Sequence, residues 1–275
     1  MPWNVALRRH WPEYLIEAWA LGTFMIAAGL VATLLEYPRS PLHEALPDPA
    51  QRRALAGLAM GLTAIGLIYS PWGRRSGAHM NPAVTLTFLA LGKVRGCDAA
   101  FFMLAQFVGG TLGVLLVLAL LGSSFSAAPV SYAATMPGPA GAAVAFAAEL
   151  AISAGMMATI LTCSGWRRAA PFTGLVAGVL VASYIALEGP LSGMSMNPAR
   201  SFASAAPGLM WHFLWIYFLA PVAGMLAGAQ LYRCTRHRVA CAKLIHPHDA
   251  RCIHCGYEPP ATVALSSSLL RSTRP

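Results

Sequence analysis

The sequence predicts an all-α membrane protein, with six transmembrane helices and two half-helices arranged as an inverted repeat. Three observations predict it. The chain is 57% hydrophobic and 11% charged, with a mean hydropathy of +0.58, whereas a soluble domain carries about 25% charged residues. The word Met-Asn-Pro-Ala occurs twice, at Met80-Asn81-Pro82-Ala83 and at Met196-Asn197-Pro198-Ala199. Each copy follows a small-residue loop, Ser76-Gly77-Ala78-His79 or Ser192-Gly193-Met194-Ser195. The apolar segments run span, span, half-helix, span, and then repeat that order.

Residues 1–13 read as a cytoplasmic N-terminus carrying Arg8 and Arg9. No small-residue cleavage site follows the first apolar run, so span one, 14–35, is expected to insert as its own anchor. Span two is 54–70. The first half-helix starts at Asn81, where the side chain can cap free N–H groups and Pro82 sacrifices no hydrogen bond. Span three is 99–121, followed by an uncharged Ser/Ala/Gly/Pro-rich linker, 122–141. Spans four and five are 142–163 and 172–187, the second half-helix starts at Asn197, and span six is 211–232. Each half-helix has room for about ten residues, or roughly 15 Å, half of a hydrocarbon core of about 30 Å. Backbone can stop at that depth only where it lines a watery cavity.

Three spans per repeat, 14–121 and 142–232, put the second copy upside down, so the two half-helix starts can meet at the midplane. Glu17 in span one and Glu149 in span four echo each other. Intramembrane carboxylates usually face the interior; here they either hold the unwound loops by hydrogen bonds or titrate directly, and the loop-supporting role is favoured. Gly174 with Gly178, and Gly224 with Gly228, let helices approach closely. Arg8, Arg9, Arg74, Arg75, Lys93, Arg95, Arg167 and Arg168 fall on one side of this topology, while Arg39, Arg52 and Arg53 fall on the other. The excess places both termini in the cytoplasm. The formal charge of +9 is thereby explained by topology and does not call for nucleic acid.

The two Asn-Pro-Ala boxes, the runs SGAHMNPAVTLTF and SGMSMNPARSFASA, and Glu17 with Glu149 resemble the aquaporin family, also called the major intrinsic proteins, over residues 14–232. The resemblance implies a homotetramer with one pore per subunit, needing no cofactor, that passively conducts water or small uncharged solutes such as glycerol. It carries the pore motifs onto Asn81, Pro82, Ala83, Asn197, Pro198 and Ala199, and the constriction arginine onto Arg200. The other constriction positions fall on Met194, Ile185, and either Met60 or Gly61. Water channels of this family have an aromatic and a histidine there, and glycerol facilitators an aromatic pair; this chain has neither. Ser201, Ala205, Tyr217 and Phe218 favour the water branch. By resemblance His79 lines the cytoplasmic half of the pore, as a neutral wall residue or as a pH gate.

The tail, 233–275, is expected to stand apart from the pore. Cys252 and Cys255 form a C-x-x-C pair followed by Gly256, and Cys241 with His246 or His248 would complete a tetrahedral zinc site; free thiols are the other reading. The expectation is a water channel that also passes a small neutral solute and excludes protons and ions. The alternatives are a facilitator selective for glycerol, a metalloid acid or ammonia, and a secondary transporter, for which Glu17 and Glu149 are the sole candidate coupling carboxylates. No nucleophile–base–acid constellation points to an enzyme.

Overall fold

Backbone in lipid must satisfy its hydrogen bonds within itself, so the apolar runs fold as helices. A computed structural model of the chain describes residues 1–235, 239, 241–243, 245–246 and 251–258. Among these residues are twelve α-helices and no strand. The first repeat holds α1 (Trp3–Glu36), α2 (Pro41–Ala45), α3 (Pro49–Tyr69), α4 (Pro71–Ser76), α5 (Pro82–Ala90), α6 (Gly96–Leu121) and the short α7 (Ser123–Ser126). The second holds α8 (Ala142–Gly165), α9 (Thr173–Leu187), α10 (Gly189–Ser192), α11 (Pro198–Ala205) and α12 (Leu214–Cys234).

Five stretches are long and apolar enough to cross a bilayer: Trp3–Glu36, Gly96–Leu121, Ala142–Gly165, Ala170–Leu187 and Leu214–Cys234. The sixth span, α3, falls short of that apolarity because Arg52 and Arg53 lie near its start. Arg52 is the apparent exception to the charge asymmetry, and it is a buried staple. Its Nε donates to both carboxylate oxygens of Glu36 at 3.2 Å, and its Nη1 donates to the carbonyls of Leu46 and Pro47.

The N-terminal segment 1–13 is not separate from span one; α1 begins at Trp3 and runs through Pro12. The reason is a buried carboxylate on α6. Asp98 is fully buried and accepts from Tyr14 Oη and pairs with His10 Nδ1, both at 2.7 Å, which ties the first turns of α1 to the bundle.

The repeat is visible in the pairing. Helix α1 packs on α6 and α8 on α12, while α3 and α9 pair across the pseudo-two-fold. Each half-helix leans on the other repeat's last span, α11 on α6 and α5 on α12. The close approaches match as well: a side chain at Gly109 would strike the carbonyl of Ala18, and one at Gly224 the carbonyl of Leu150.

Candidate functional site

The two half-helices start at asparagine caps. Asn81 Oδ1 accepts from Ala83 N at 2.8 Å, and Asn197 Oδ1 accepts from Ala199 N and Arg200 N at 3.1 and 3.2 Å. The loops before them have the same shape. Gly77 and Gly193 take φ of 112° and 78°, and Ala78, Met80, Met194 and Met196 all lie between 48° and 53°. Left-handed backbone at non-glycine residues costs about 1 kcal/mol or more each, so something must hold it.

Glu17 and Glu149 hold it. Glu17, fully buried, accepts from Ser76 Oγ, His79 N, Met80 N and Gln106 Nε2 at 2.7–3.0 Å. Glu149, equally buried, accepts from Ser192 Oγ, Ser195 N and Met196 N at 2.7–2.8 Å. In the second repeat Pro221 stands where Gln106 stands in the first, which leaves Glu149 with three donors. The two serines close a further matching pair of bonds, accepting from Ala78 N and Met194 N at 3.0 Å. Apart from Gln106 on α6, every one of these contacts is to the segment leading into a half-helix.

The half-helix starts meet head to head. Asn81 Nδ2 donates to the Met196 carbonyl at 2.7 Å, and Asn197 Nδ2 to the Met80 carbonyl at 2.6 Å. Each amide has two N–H groups, so each keeps one beyond this bond. Both asparagines line an internal cavity of about 270 Å³ that runs from Glu36, Ala133 and Arg200 at one end to Gly77 and His79 at the other. Its side walls are apolar, with Phe24, Val84, Ile160 and Val181 among them. Among the described residues, no group donates to the carbonyls of Gly77, Ala78, His79, Gly193, Met194 or Ser195, and all six residues line the cavity.

Met60, Ile185, Met194 and Arg200 all line this cavity. Gly61 does not. It faces α9, where an added side chain would come within 2.6 Å of the Gly178 carbonyl, so of the two span-two candidates only Met60 lines the cavity. Pro82, Ala83, Pro198 and Ala199 are buried in the first turns of α5 and α11, and build the starts without lining the cavity. Arg200 Nη1 donates to the Ala133 carbonyl at 2.8 Å and approaches Ser204 Oγ at 3.4 Å. No carboxylate pairs with it among the described residues. Ala133 was hidden in the linker: Ser131, Tyr132 and Ala133 sit at φ of 45–60°, and Thr135 Oγ1 meets Ser201 Oγ at 2.7 Å. A backbone carbonyl carries no residue-type signal, so only the uncharged character of the linker hinted at it.

Comparison with known proteins decides the family. The family model described as Major intrinsic protein matches residues 8–232. The chain is a major intrinsic protein. Its relatives include a probable aquaporin, AqpM, of Archaeoglobus fulgidus, 37% identical over 183 residues, which are 64% of this chain and 74% of that protein. Aquaporin NIP1-2 of Oryza sativa subsp. japonica is 32% identical over 238 residues, 86% of this chain and 75% of its own. The X-ray structure of the aquaglyceroporin from Plasmodium falciparum shares the fold, with a TM-score of 0.66 at 21% identity, covering 81% of this chain and 95% of that one.

In this major intrinsic protein the residues beyond the matched region do not stand apart, contrary to the expectation for the tail. His79 Nε2 lies 3.0 Å from the carbonyl of Ala242, and its Nδ1 lies 3.0 Å from Thr85 Oγ1. A carbonyl only accepts, so Nε2 carries the proton. The His254 ring lies parallel to that of His79, 6.0 Å away. Lys243 Nζ donates to the carbonyl of Arg75, and burial lowers the lysine's pKa. Burial, with His79 and Lys243 adding to it, pushes His254 down to about 3. Of the proposed metal ligands, Cys241, His246, Cys252 and Cys255 come together with their ligand atoms all within 4.8 Å of one another. His248 lies outside the described residues.

Proposed function

We propose that this chain is a passive channel for water that also passes small neutral solutes such as glycerol, and that it excludes protons and ions. The observation that carries this reading is the meeting of two helix starts, through Asn81 and Asn197, on the wall of one continuous cavity. Each helix start brings about half a positive charge. The remaining asparagine N–H groups donate to a water or hydroxyl oxygen from two directions, while the free loop carbonyls accept its hydrogens on either side. A cation entering there loses its hydration and meets a positive potential, as in the general scheme of such pores. Between these polar points the walls are hydrocarbon, so the permeant travels as a thin file.

The narrow region is assigned to Met60, Ile185, Met194 and Arg200. Arg200 supplies the strong donor, is held by Ala133, and forms no ion pair among the described residues. Glu17 and Glu149 act as loop supports, because all their partners are loop or packing groups; neither is placed to carry a coupling ion. Asn81, Pro82, Ala83, Asn197, Pro198 and Ala199 build the two midplane starts. The charge asymmetry of the loops places both termini in the cytoplasm, and family resemblance favours a homotetramer. The channel itself uses no cofactor.

The test is osmotic shrinkage of proteoliposomes, followed by light scattering under sucrose and glycerol gradients, with planar-bilayer recording alongside. Fast shrinkage in sucrose, re-swelling in glycerol and no current are expected. A measurable proton or sodium current at neutral pH, or water flux no faster than in empty vesicles both for the full chain and for a variant ending at residue 237, would overturn the reading.

A further inference from the structure

The tail has two properties that no pore function uses: it gathers four soft ligands, and it lies over one end of the cavity. The ligand geometry comes first. Cys241 Sγ and Cys252 Sγ are 3.6 Å apart, and His246 Nε2 lies 3.2 Å from Cys255 Sγ. Bond lengths of about 2.3 Å to sulfur and 2.0 Å to nitrogen in a tetrahedron put two sulfurs about 3.8 Å apart, and a sulfur and a nitrogen about 3.5 Å apart. The separation of 3.6 Å is far beyond a disulfide's about 2.05 Å, and all six cysteines are free.

The surrounding backbone is also arranged for thiolates. Lys243 N donates to Cys241 Sγ at 3.4 Å. After the C-x-x-C pair the chain turns back at Gly256, with φ of 75°, so that Gly256 N donates to the Cys252 carbonyl and Cys252 N to the Tyr257 carbonyl. Three thiolates and an imidazole at tetrahedral spacing select zinc over harder cations such as magnesium or calcium.

The position comes second. Ala242, next to the ligand Cys241, is fully buried, and its carbonyl meets His79 Nε2. Lys243 reaches the Arg75 carbonyl, and a side chain at Gly77 would meet Lys243 Cγ at 3.1 Å. His254, between the ligands Cys252 and Cys255, lies against both His79 and Phe102. Gly77 and His79 line the cavity, whereas the described tail residues that touch them do not, so the tail backs the cavity wall at this point.

We propose that Cys241, His246, Cys252 and Cys255 bind one zinc ion, and that the knuckle it folds is a plug over the His79 end of the pore. The plug rests on the channel reading above; the metal site does not. Zinc folds the short loop, since binding free energy at such a site is folding free energy, and the folded loop presents Ala242 and His254 to His79. Without zinc the contact loses its scaffold and the mouth opens.

The experiment uses the purified full-length protein, a variant ending at residue 237, and a full-length Cys252→Ser/Cys255→Ser variant. Elemental analysis should find about one zinc per chain in the first and none in the other two, and cobalt(II) exchange should give the intense visible bands of a tetrahedral thiolate site. In proteoliposomes a membrane-permeant chelator should raise water permeability of the unmutated protein several-fold, with zinc but not magnesium reversing it. Both variants should start at the raised level and ignore the chelator. Equal metal in the unmutated protein and the double variant overturns the site. Loss of zinc with unchanged permeability overturns the plug and leaves the channel standing. No variant conducting above empty vesicles overturns the plug together with the channel reading, and the metal count then still decides the site.

Discussion

Asn81 donates to the carbonyl of Met196 across the midplane, and this bond joins two half-helices that are far apart in sequence. Its mirror, Asn197 to Met80, gives the junction two-fold symmetry. Each asparagine therefore does three things at once: it caps its own helix, ties it to the opposite loop, and keeps one N–H for the pore.

Replacing Asn197 with Leu removes all three. The cap alone is worth about 0.5–2 kcal/mol, and the Met80 carbonyl and the Ala199 and Arg200 amides lose their partner in a buried place. Lower thermal stability in detergent and reduced water flux are expected together. Normal melting with normal flux would contradict the junction.

The carboxylates make a symmetrical prediction. Glu17→Gln and Glu149→Gln each turn an acceptor-only group into one that must aim an NH₂ at backbone N–H groups. Hydrogen bonds to charged groups are worth about 1.5–3 kcal/mol, so both variants should lose stability. Glu17→Gln should lose more, because Glu17 holds four donors and Glu149 three. Thermal unfolding of the two variants side by side measures this order; a coupling role would instead change the pH dependence of flux and spare stability.

Much of this was legible because the sequence writes the repeat twice. The paired boxes and the paired acids each name a residue type that one local geometry requires. What was not legible came from groups without such a signature. The Ala133 carbonyl reaches Arg200 from a linker whose composition is bland. The start of α1 depends on Asp98, a carboxylate far along the chain that reads in isolation as the first turn of α6. The placement of the tail on His79 rests on Ala242, whose side chain says nothing about a carbonyl contact. Met60 and Gly61 could not be separated because the loop before α5 holds a helical turn, α4, which blurs a count back from the box.

That last ambiguity has its own test. Gly61→Ala puts a methyl against the Gly178 carbonyl, an overpacked contact that costs about 1–3 kcal/mol. It should lower stability and leave the ratio of glycerol to water flux unchanged. Met60→Ala removes side-chain bulk from the cavity wall and should raise that ratio with less effect on stability. The opposite pattern would put Gly61 on the path.

Ile185 gives the sharpest selectivity prediction. It shares the cavity wall with Met60, Met194 and Arg200, so the narrow region proposed here has one strong donor and three apolar side chains. Water passing Arg200 gives up hydrogen bonds that Ile185 cannot replace, whereas the carbon face of glycerol finds an apolar wall, and flexible methionines can shift to admit it. Ile185→His supplies a polar partner on the wall facing the path and fills space a carbon chain would use. It should cut glycerol flux more than water flux, read as slower re-swelling in a glycerol gradient with shrinkage in sucrose largely preserved. The comparison is best made in the variant ending at residue 237, where the tail cannot limit either solute. A channel ending at residue 237 that passes water and no detectable glycerol, or its Ile185→His variant losing both fluxes equally, would show that these four side chains do not set the width of the pore.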